Sequence, residues 1–123
     1  MSDAAAAILE LIKPNLKKRL FVALNYPVKP EAEIVPYVPE HLKYMSAHED
    51  KVFLSGPFIK TGRLVDEGLM ILNADQEEEA LEFMSNEPLV KRGLRRFDLK
   101  VWEIREGTLT IRISAATTKF SLV

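Results

Sequence analysis

The chain has 123 residues, of which 47% are hydrophobic and 28% are charged, and its formal net charge is −1. This length and balance are typical of one globular domain, and a charge near zero gives no preference for nucleic acid or an anionic membrane surface, so we expect neither partner. The chain has no cysteine, no apolar run of about 20 residues, and Asp3 where a signal peptide would carry basic residues, so we expect a cytoplasmic protein without thiol chemistry.

The first third of the chain predicts a helix, a strand and an irregular crossover. Ser2 can cap a helix that continues to Ile12, and Pro14 ends or kinks it. The unbroken apolar run Leu20–Leu24 is typical of a buried strand. Four closely spaced prolines then predict irregular structure: Pro27, Pro30, Pro36 and Pro39.

The middle of the chain predicts a helix over Glu40–Asp50 and two strands. The residues that share one side of this helix at a 3.6-residue period are Val38, His41, Leu42, Met45 and His48. Val52–Leu54 is typical of a short strand that ends at Ser55–Pro57. Leu69–Leu72 is apolar throughout, which predicts a central strand.

A second helix is predicted after the third strand. Asp75 is its expected N-cap, with Glu78 as the capping-box partner. Its expected buried face consists of Ala80, Leu81 and Met84. The acidic run 77–79 suits the positive end of the helix dipole, and we interpret it in this way rather than as a metal site.

The remaining segments predict a fourth strand and a hairpin. Phe97, Leu99 and Val101 alternate with polar residues, which is typical of a half-buried strand. After the turn at Gly107, alternating apolar residues around Leu109–Ile113 and at Phe120 and Leu122 predict an added hairpin.

Together these elements predict an α+β fold with a ferredoxin-like βαββαβ core, an extra N-terminal helix and a C-terminal hairpin. We expect an N-terminal helical extension over 1–18, a core domain over 19–105 and a hairpin extension over 106–123, all within a single domain. An antiparallel sheet with helices on one face leaves an apolar face uncovered. A second copy is the simplest cover and predicts a homodimer, although the N-terminal helix or the hairpin are alternative covers.

Five segments in this order resemble motifs of the YCII-like family over roughly residues 19–105. They are His41-Leu42-Lys43-Tyr44-Met45, Leu54-Ser55-Gly56-Pro57, Leu69–Ala74 followed by Glu79-Ala80, Glu87–Leu94, and Val101-Trp102. The resemblance implies a dimeric α/β barrel, similar in fold to muconolactone isomerases. It also implies an active site with a His paired to an Asp in a cleft beside the sheet. His41 matches the His, and Glu87 stands where the family has the Asp.

His41 is therefore the candidate for proton transfer, because imidazole titrates near neutral pH and a carboxylate can orient it. Without a Ser or Cys nucleophile beside it, such a pair suits isomerisation or elimination on a small organic acid. This hypothesis requires His41 to line a pocket within reach of Glu87. The alternative is a helix residue that only forms a hydrogen bond at the sheet edge.

Further residues are candidates for substrate binding. Tyr44 could donate a hydrogen bond to a ligand, Ser55, Gly56 and Pro57 end a strand where a pocket can open, and Arg63 could attract an anion. We expect no cofactor and no metal, since His41 and His48 are seven residues apart and so about 10 Å along the helix, too far to share an ion.

Three functions follow from these observations. The first is a small cofactor-independent enzyme of lyase, isomerase or dehalogenase type. The second is a non-catalytic small-ligand-binding or regulatory dimeric module that uses the same cleft, which the Glu87 departure favours. The third is an assembly protein that acts through residues 1–18 or 107–123.

Overall fold

The computed structural model describes residues 2–14, 18–60, 62–63, 65–117 and 120–122, without the side chains of Phe120 and Leu122. Its elements in chain order are α1 (Asp3–Ile12), β1 (Lys18–Pro27), α2 (Glu31–Ile34), α3 (Val38–Ala47), β2 (Val52–Pro57), β3 (Gly68–Leu72), α4 (Glu77–Asn86), α5 (Pro88–Lys91), β4 (Arg95–Ile104), β5 (Ile111–Ile113) and β6 (Phe120–Leu122). Single 3₁₀ turns at Val35–Tyr37 and Glu49–Lys51 flank α3. No helix in this described part of the chain has the length and apolar character to cross a membrane.

Strands β1 to β4 form one antiparallel sheet in the order β2-β3-β1-β4. Helices α2 and α3 connect β1 to β2, and α4 and α5 connect β3 to β4. This topology is the ferredoxin-like arrangement and confirms the predicted fold class. It also places β3 between β2 and β1, so the prediction that this apolar strand is central is confirmed.

The main core lies between the sheet and the helices. It is formed by buried residues from β1, β3 and α4: Phe21, Ala23, Met70, Leu72, Ala80, Phe83 and Met84. Tyr44 and Met45 of α3 pack against it, as do Phe97 and Leu99 of β4. A second cluster of Ile34, Leu89 and Leu94 supports α2 and α5. Because side chains alternate along a strand, β1 and β3 turn their other residues to the opposite face of the sheet.

Residues Arg19–Glu103 form one compact unit, and a second unit is drawn from 1–18 and 104–123. In the second unit, Oγ of Ser2 accepts a hydrogen bond from the backbone N–H of Ala5 at 3.1 Å, which confirms the predicted cap of α1. Strands β5 and β6 pair antiparallel, with Ile111 opposite Leu122, and so the predicted hairpin is confirmed. The proposed domain boundaries stay predictions.

The prediction of an irregular proline-rich crossover was wrong. Pro30 is the N-cap of α2, Pro36 lies in the 3₁₀ turn and Pro39 lies in the first turn of α3. The first turn of a helix has N–H groups without helical partners, so a proline there loses no hydrogen bond. Spaced prolines thus start successive short helices instead of preventing them.

The predicted start and buried face of α4 need correction. Its N-cap is Gln76, without a side-chain capping bond, so Asp75 does not cap it. The buried residues are Ala80, Phe83 and Met84, whereas Leu81 is 40% exposed. The observed set follows i, i+3, i+4 spacing, and Leu81 lies about 100° away from Ala80 around the helix axis.

Two strand predictions also differ from the structure. β2 continues through Ser55 and Gly56 to Pro57, which pairs with Gly68. A proline is tolerated there because β2 is an edge strand. In β4, Phe97 and Leu99 pack against the core, but Val101 is 61% exposed.

Candidate active site

A hydrogen-bonded pair joins α3 to the junction of α4 and α5. Nδ1 of His41 lies 2.7 Å from Oε1 of Glu87. The other carboxylate oxygen, Oε2, accepts a hydrogen bond from the backbone N–H of Val90 at 3.1 Å. With Oε1 as the acceptor, Nδ1 carries the proton of the imidazole, and Nε2 is left for chemistry.

The position of Glu87 explains why a carboxylate can be buried here. Glu87 ends α4 and is the N-cap of α5, and Pro88 occupies the first turn of that helix. Only 2% of the Glu87 side chain is exposed, against 19% for His41. A buried carboxylate is stable only when its oxygens have partners, and both oxygens of Glu87 have one.

A cavity of about 240 Å³ opens beside this pair. Its polar lining consists of Asn25, His41, Ser55, Asp66 and Arg95. Its larger apolar side chains are Val38, Leu42, Val65, Leu69, Met70 and Leu89. Leu42, Ser55 and Pro57 are exposed while Asn25 and Asp66 are buried, so the mouth of the cavity lies between α3 and β2.

The structure brings most of the sequence-predicted residues together at this cavity. His41 lines it in contact with Glu87, as the catalytic hypothesis requires, and Ser55, Gly56 and Pro57 form part of its wall. Their roles in catalysis and binding stay predictions.

Tyr44 and Arg63 do not line the cavity. The Tyr44 hydroxyl donates a hydrogen bond to the carbonyl oxygen of Phe83 at 2.8 Å, so its donor is directed away from a ligand in this cavity. Burial, together with the negative charges of Glu87 and Glu82, raises the pKa of Tyr44. Arg63 is exposed in the loop before β3.

Two charged residues at the cavity were missed by the sequence analysis, Asp66 and Arg95. A terminal guanidinium nitrogen of Arg95 donates to the backbone carbonyl of Asp66. Burial lowers the pKa of Arg95 from its ordinary value, and the negative charges of Glu87 and Asp66 oppose that shift. The sequence did contain a signal for Arg95, because two-residue alternation places it on the core side of β4 with Phe97 and Leu99.

A second ion pair connects α3 and α5 on the protein surface. Arg92 makes two hydrogen bonds to the Glu40 carboxylate, at 3.0 and 2.7 Å. Its guanidinium also lies 4.2 Å from the centre of the Tyr37 ring. Glu40 precedes His41 on α3, and Glu87 and Arg92 are the N-cap and the C-cap of α5, so this contact lies at the same helix junction as the His41–Glu87 pair.

The chain is similar to known proteins in its fold and in its family profile. No curated protein matches the chain in sequence. The fold is similar to that of the 5-chloro-2-hydroxyhydroquinone dehydrochlorinase TftG from Burkholderia phenoliruptrix AC1100, solved in complex with 2,5-dihydroxybenzoquinone. The TM-score is 0.59 at 22% sequence identity, over 68% of this chain and 92% of that chain. The profile of the YCII-related domain matches residues 20–103, most of the chain, and the chain therefore belongs to the YCII-related family.

Proposed function

We propose that the protein is a small cofactor-independent enzyme of lyase, isomerase or dehalogenase type that acts on a small organic acid. His41 is its general acid/base, and Glu87 orients the imidazole. The observation that carries this proposal is the 2.7 Å contact between His41 Nδ1 and Glu87 Oε1 at the wall of the cavity.

In the proposed reaction, Nε2 of His41 removes a proton from a carbon of the substrate, and the electrons of that C–H bond form a double bond. In an elimination, the leaving group departs with its bonding electrons. In an isomerisation, an existing double bond of the substrate shifts as the new one forms, and the imidazolium returns the proton to the carbon that the shifted electrons reach. Glu87 stabilises the imidazolium in both cases because the ion pair is largely removed from water.

Two features support the size and type of substrate. A cavity of about 240 Å³ lies below the range of about 300–1,000 Å³ that takes drug-sized ligands. The structural neighbour is named a dehydrochlorinase, and its bound molecule is a single hydroxylated ring. Elimination on a one-ring substrate is therefore the first chemistry to test here.

The test is proton abstraction followed in heavy water. We would incubate the protein with a panel of hydroxylated ring acids and chlorinated hydroquinones and follow exchange or loss of substrate C–H signals by ¹H NMR. We expect His41→Gln to lower the rate by about 10²–10⁴-fold, because general acid–base catalysis contributes that much. Glu87→Gln should lower it less, since the imidazole remains.

The matched control is His48→Gln. His48 is the chain's other histidine, it lies at the end of α3, and its Nδ1 is engaged at 2.8 Å with the carbonyl of Tyr44. This variant should retain the wild-type rate. Exchange that persists in His41→Gln would contradict the proposal, and saturable binding without any turnover would favour a ligand-binding module instead.

A further inference from the structure

Asp66 and Arg95 line the same cavity as His41 and are less satisfied than the His41–Glu87 pair. Asp66 is only 5% exposed, and its Oδ1 accepts a hydrogen bond from the backbone N–H of Glu67 at 2.8 Å. Within the residues that the structure describes, its buried Oδ2 has no hydrogen-bond partner. The buried Nε of Arg95 likewise has none there.

Unpartnered buried groups of this kind are costly, and a folded protein rarely keeps them without a use. Here one is a donor on a cation and the other is an acceptor on an anion. They do not satisfy each other, because the hydrogen bond between the two residues uses the backbone carbonyl of Asp66. Their position at a cavity indicates that a bound molecule supplies the missing partners.

We propose that Arg95 binds an anionic oxygen of the ligand and that Asp66 accepts a hydrogen bond from a hydroxyl group of the same ligand. The cavity then takes a small hydroxylated carboxylic acid. This inference rests on the proposed function for the statement that the ligand is a substrate, and it assigns to that substrate two groups that His41 and Glu87 do not recognise.

The chemistry of the two side chains supports this assignment. A guanidinium presents several N–H donors in a planar fork that matches a carboxylate. An ionised Asp accepts hydrogen bonds only, so it selects a hydroxyl and disfavours a second carboxylate at its position. The remaining wall is mainly apolar, which suits the carbon skeleton of a single ring.

The test measures binding of three one-ring probes by isothermal titration: 3-hydroxybenzoate, benzoate and benzyl alcohol. Wild-type protein should bind them in that order of decreasing affinity. Arg95→Gln should weaken both carboxylates by about 10–100-fold and leave benzyl alcohol unchanged, because a hydrogen bond to a charged group is lost. Arg95→Lys should recover part of the affinity, since the charge remains but the fork is lost.

Asp66→Asn should reduce the preference for 3-hydroxybenzoate over benzoate severalfold, because a neutral amide oxygen is a weaker acceptor than a carboxylate. The matched control for Arg95 is Arg96→Gln, since the next residue of β4 is exposed and does not line the cavity. Its affinities should equal those of the wild type. Thermal unfolding of every variant separates loss of folding from loss of recognition.

Three results would overturn the inference. They are equal weakening of all three probes in Arg95→Gln, unchanged carboxylate affinity in folded Arg95→Gln, and no saturable binding of either carboxylate by the wild type. The proposed function is tested separately with His41→Gln. If this variant binds the carboxylates normally and no protein turns any acid over, the Arg95 site stands and the catalytic proposal fails.

Discussion

At the residue scale, Tyr44 packs against the main core, and its role in ligand binding stays a prediction. Its ring packs against Phe83, with centroids 5.0 Å apart, and its hydroxyl donates to the carbonyl of the same residue. Tyr44 lies on the same helix as the candidate base, three residues from His41. It thus stabilises the contact between α3 and α4. Burial of the hydroxyl raises the pKa of Tyr44, and the negative charges of Glu87 and Glu82 raise it further.

We therefore predict that Tyr44 makes stability sensitive to alkaline pH. A folded-state pKa above the ordinary value of 10.0 gives a contribution that is present below pH 10.0 and is lost as pH rises through the folded-state pKa. Tyr44→Phe should cost about 0.5–1.5 kcal/mol at pH 8 through the lost hydrogen bond. The difference from wild type, measured by urea unfolding, should shrink towards pH 11; a constant difference would contradict this account.

A site residue could be predicted from the sequence only where it lies in a recognisable motif. His41 and Glu87 stand in segments that resemble family motifs, so the resemblance could pair them across 46 residues. Arg95 belongs to no such motif, and a single arginine in a half-buried strand is read locally as a solvated residue. Its place at the cavity depends on the folding of β4 beside β1.

At the element scale, the surface pair between Arg92 and Glu40 aligns α3 with α5. The hydrogen bond from Arg92 holds the pKa of Glu40 below its usual value. Both side chains are about half exposed, so salt screens the contact and its effect on stability is small. Its consequence is geometric, since the distance between His41 and Glu87 follows from how these two helices meet.

We predict that this pair contributes to stability in an acid-sensitive way. Because the folded-state pKa of Glu40 is depressed, its contribution is present above pH 4.5, the ordinary value, and is lost as pH falls through the lowered pKa. Arg92→Gln should therefore lose less stability than the wild type between pH 6 and pH 3 in urea unfolding at low salt. Asp98→Asn, which removes a longer pair of 3.7 Å with Arg96, is the control. Parallel pH profiles for wild type and Arg92→Gln would refute the prediction.

The local sequence pattern predicted most helices and strands, and it failed where one pattern is compatible with two structures. The alternation in β4 and the apolar run in β3 identified strands, because alternating exposure and a short, fully apolar run are typical of strands and of few other structures. The prolines before α3 were misread, since a proline both ends one helix and starts the next. The wrong inclusion of Leu81 in the buried face of α4 came from treating adjacent apolar residues as one face.

At the scale of the whole molecule, the face of the sheet opposite α3 and α4 carries an apolar groove. Its volume is about 300 Å³, and it is lined by Val22, Leu69, Ile71, Lys100, Val101 and Trp102. Val22 and Ile71 are paired neighbours on β1 and β3 and point away from the helix-side core. We propose that a second copy of the chain covers this face, as the predicted homodimer requires.

This proposal predicts that Trp102→Glu converts a dimer to a monomer in sedimentation velocity. Trp102 is 43% exposed, and a carboxylate at a buried apolar interface would be left without partners. The matched control is Leu81→Glu, which replaces a 40% exposed apolar residue on the outer side of α4 and should leave the dimer intact. A wild type that sediments as a 14.0 kDa monomer at about 100 μM would exclude the homodimer at that concentration.

The sequence by itself determined the class of fold, the order of its elements and the family resemblance, because these depend on periodicity and on short motifs read along the chain. The tertiary structure decided which side chains share the cavity. The contacts of His41 with Glu87 and of Arg95 with Asp66 span 46 and 29 residues, and Tyr44 is drawn to Phe83 across 39. Such contacts arise from the packing of helices on the sheet, and no local pattern encodes the distances between them.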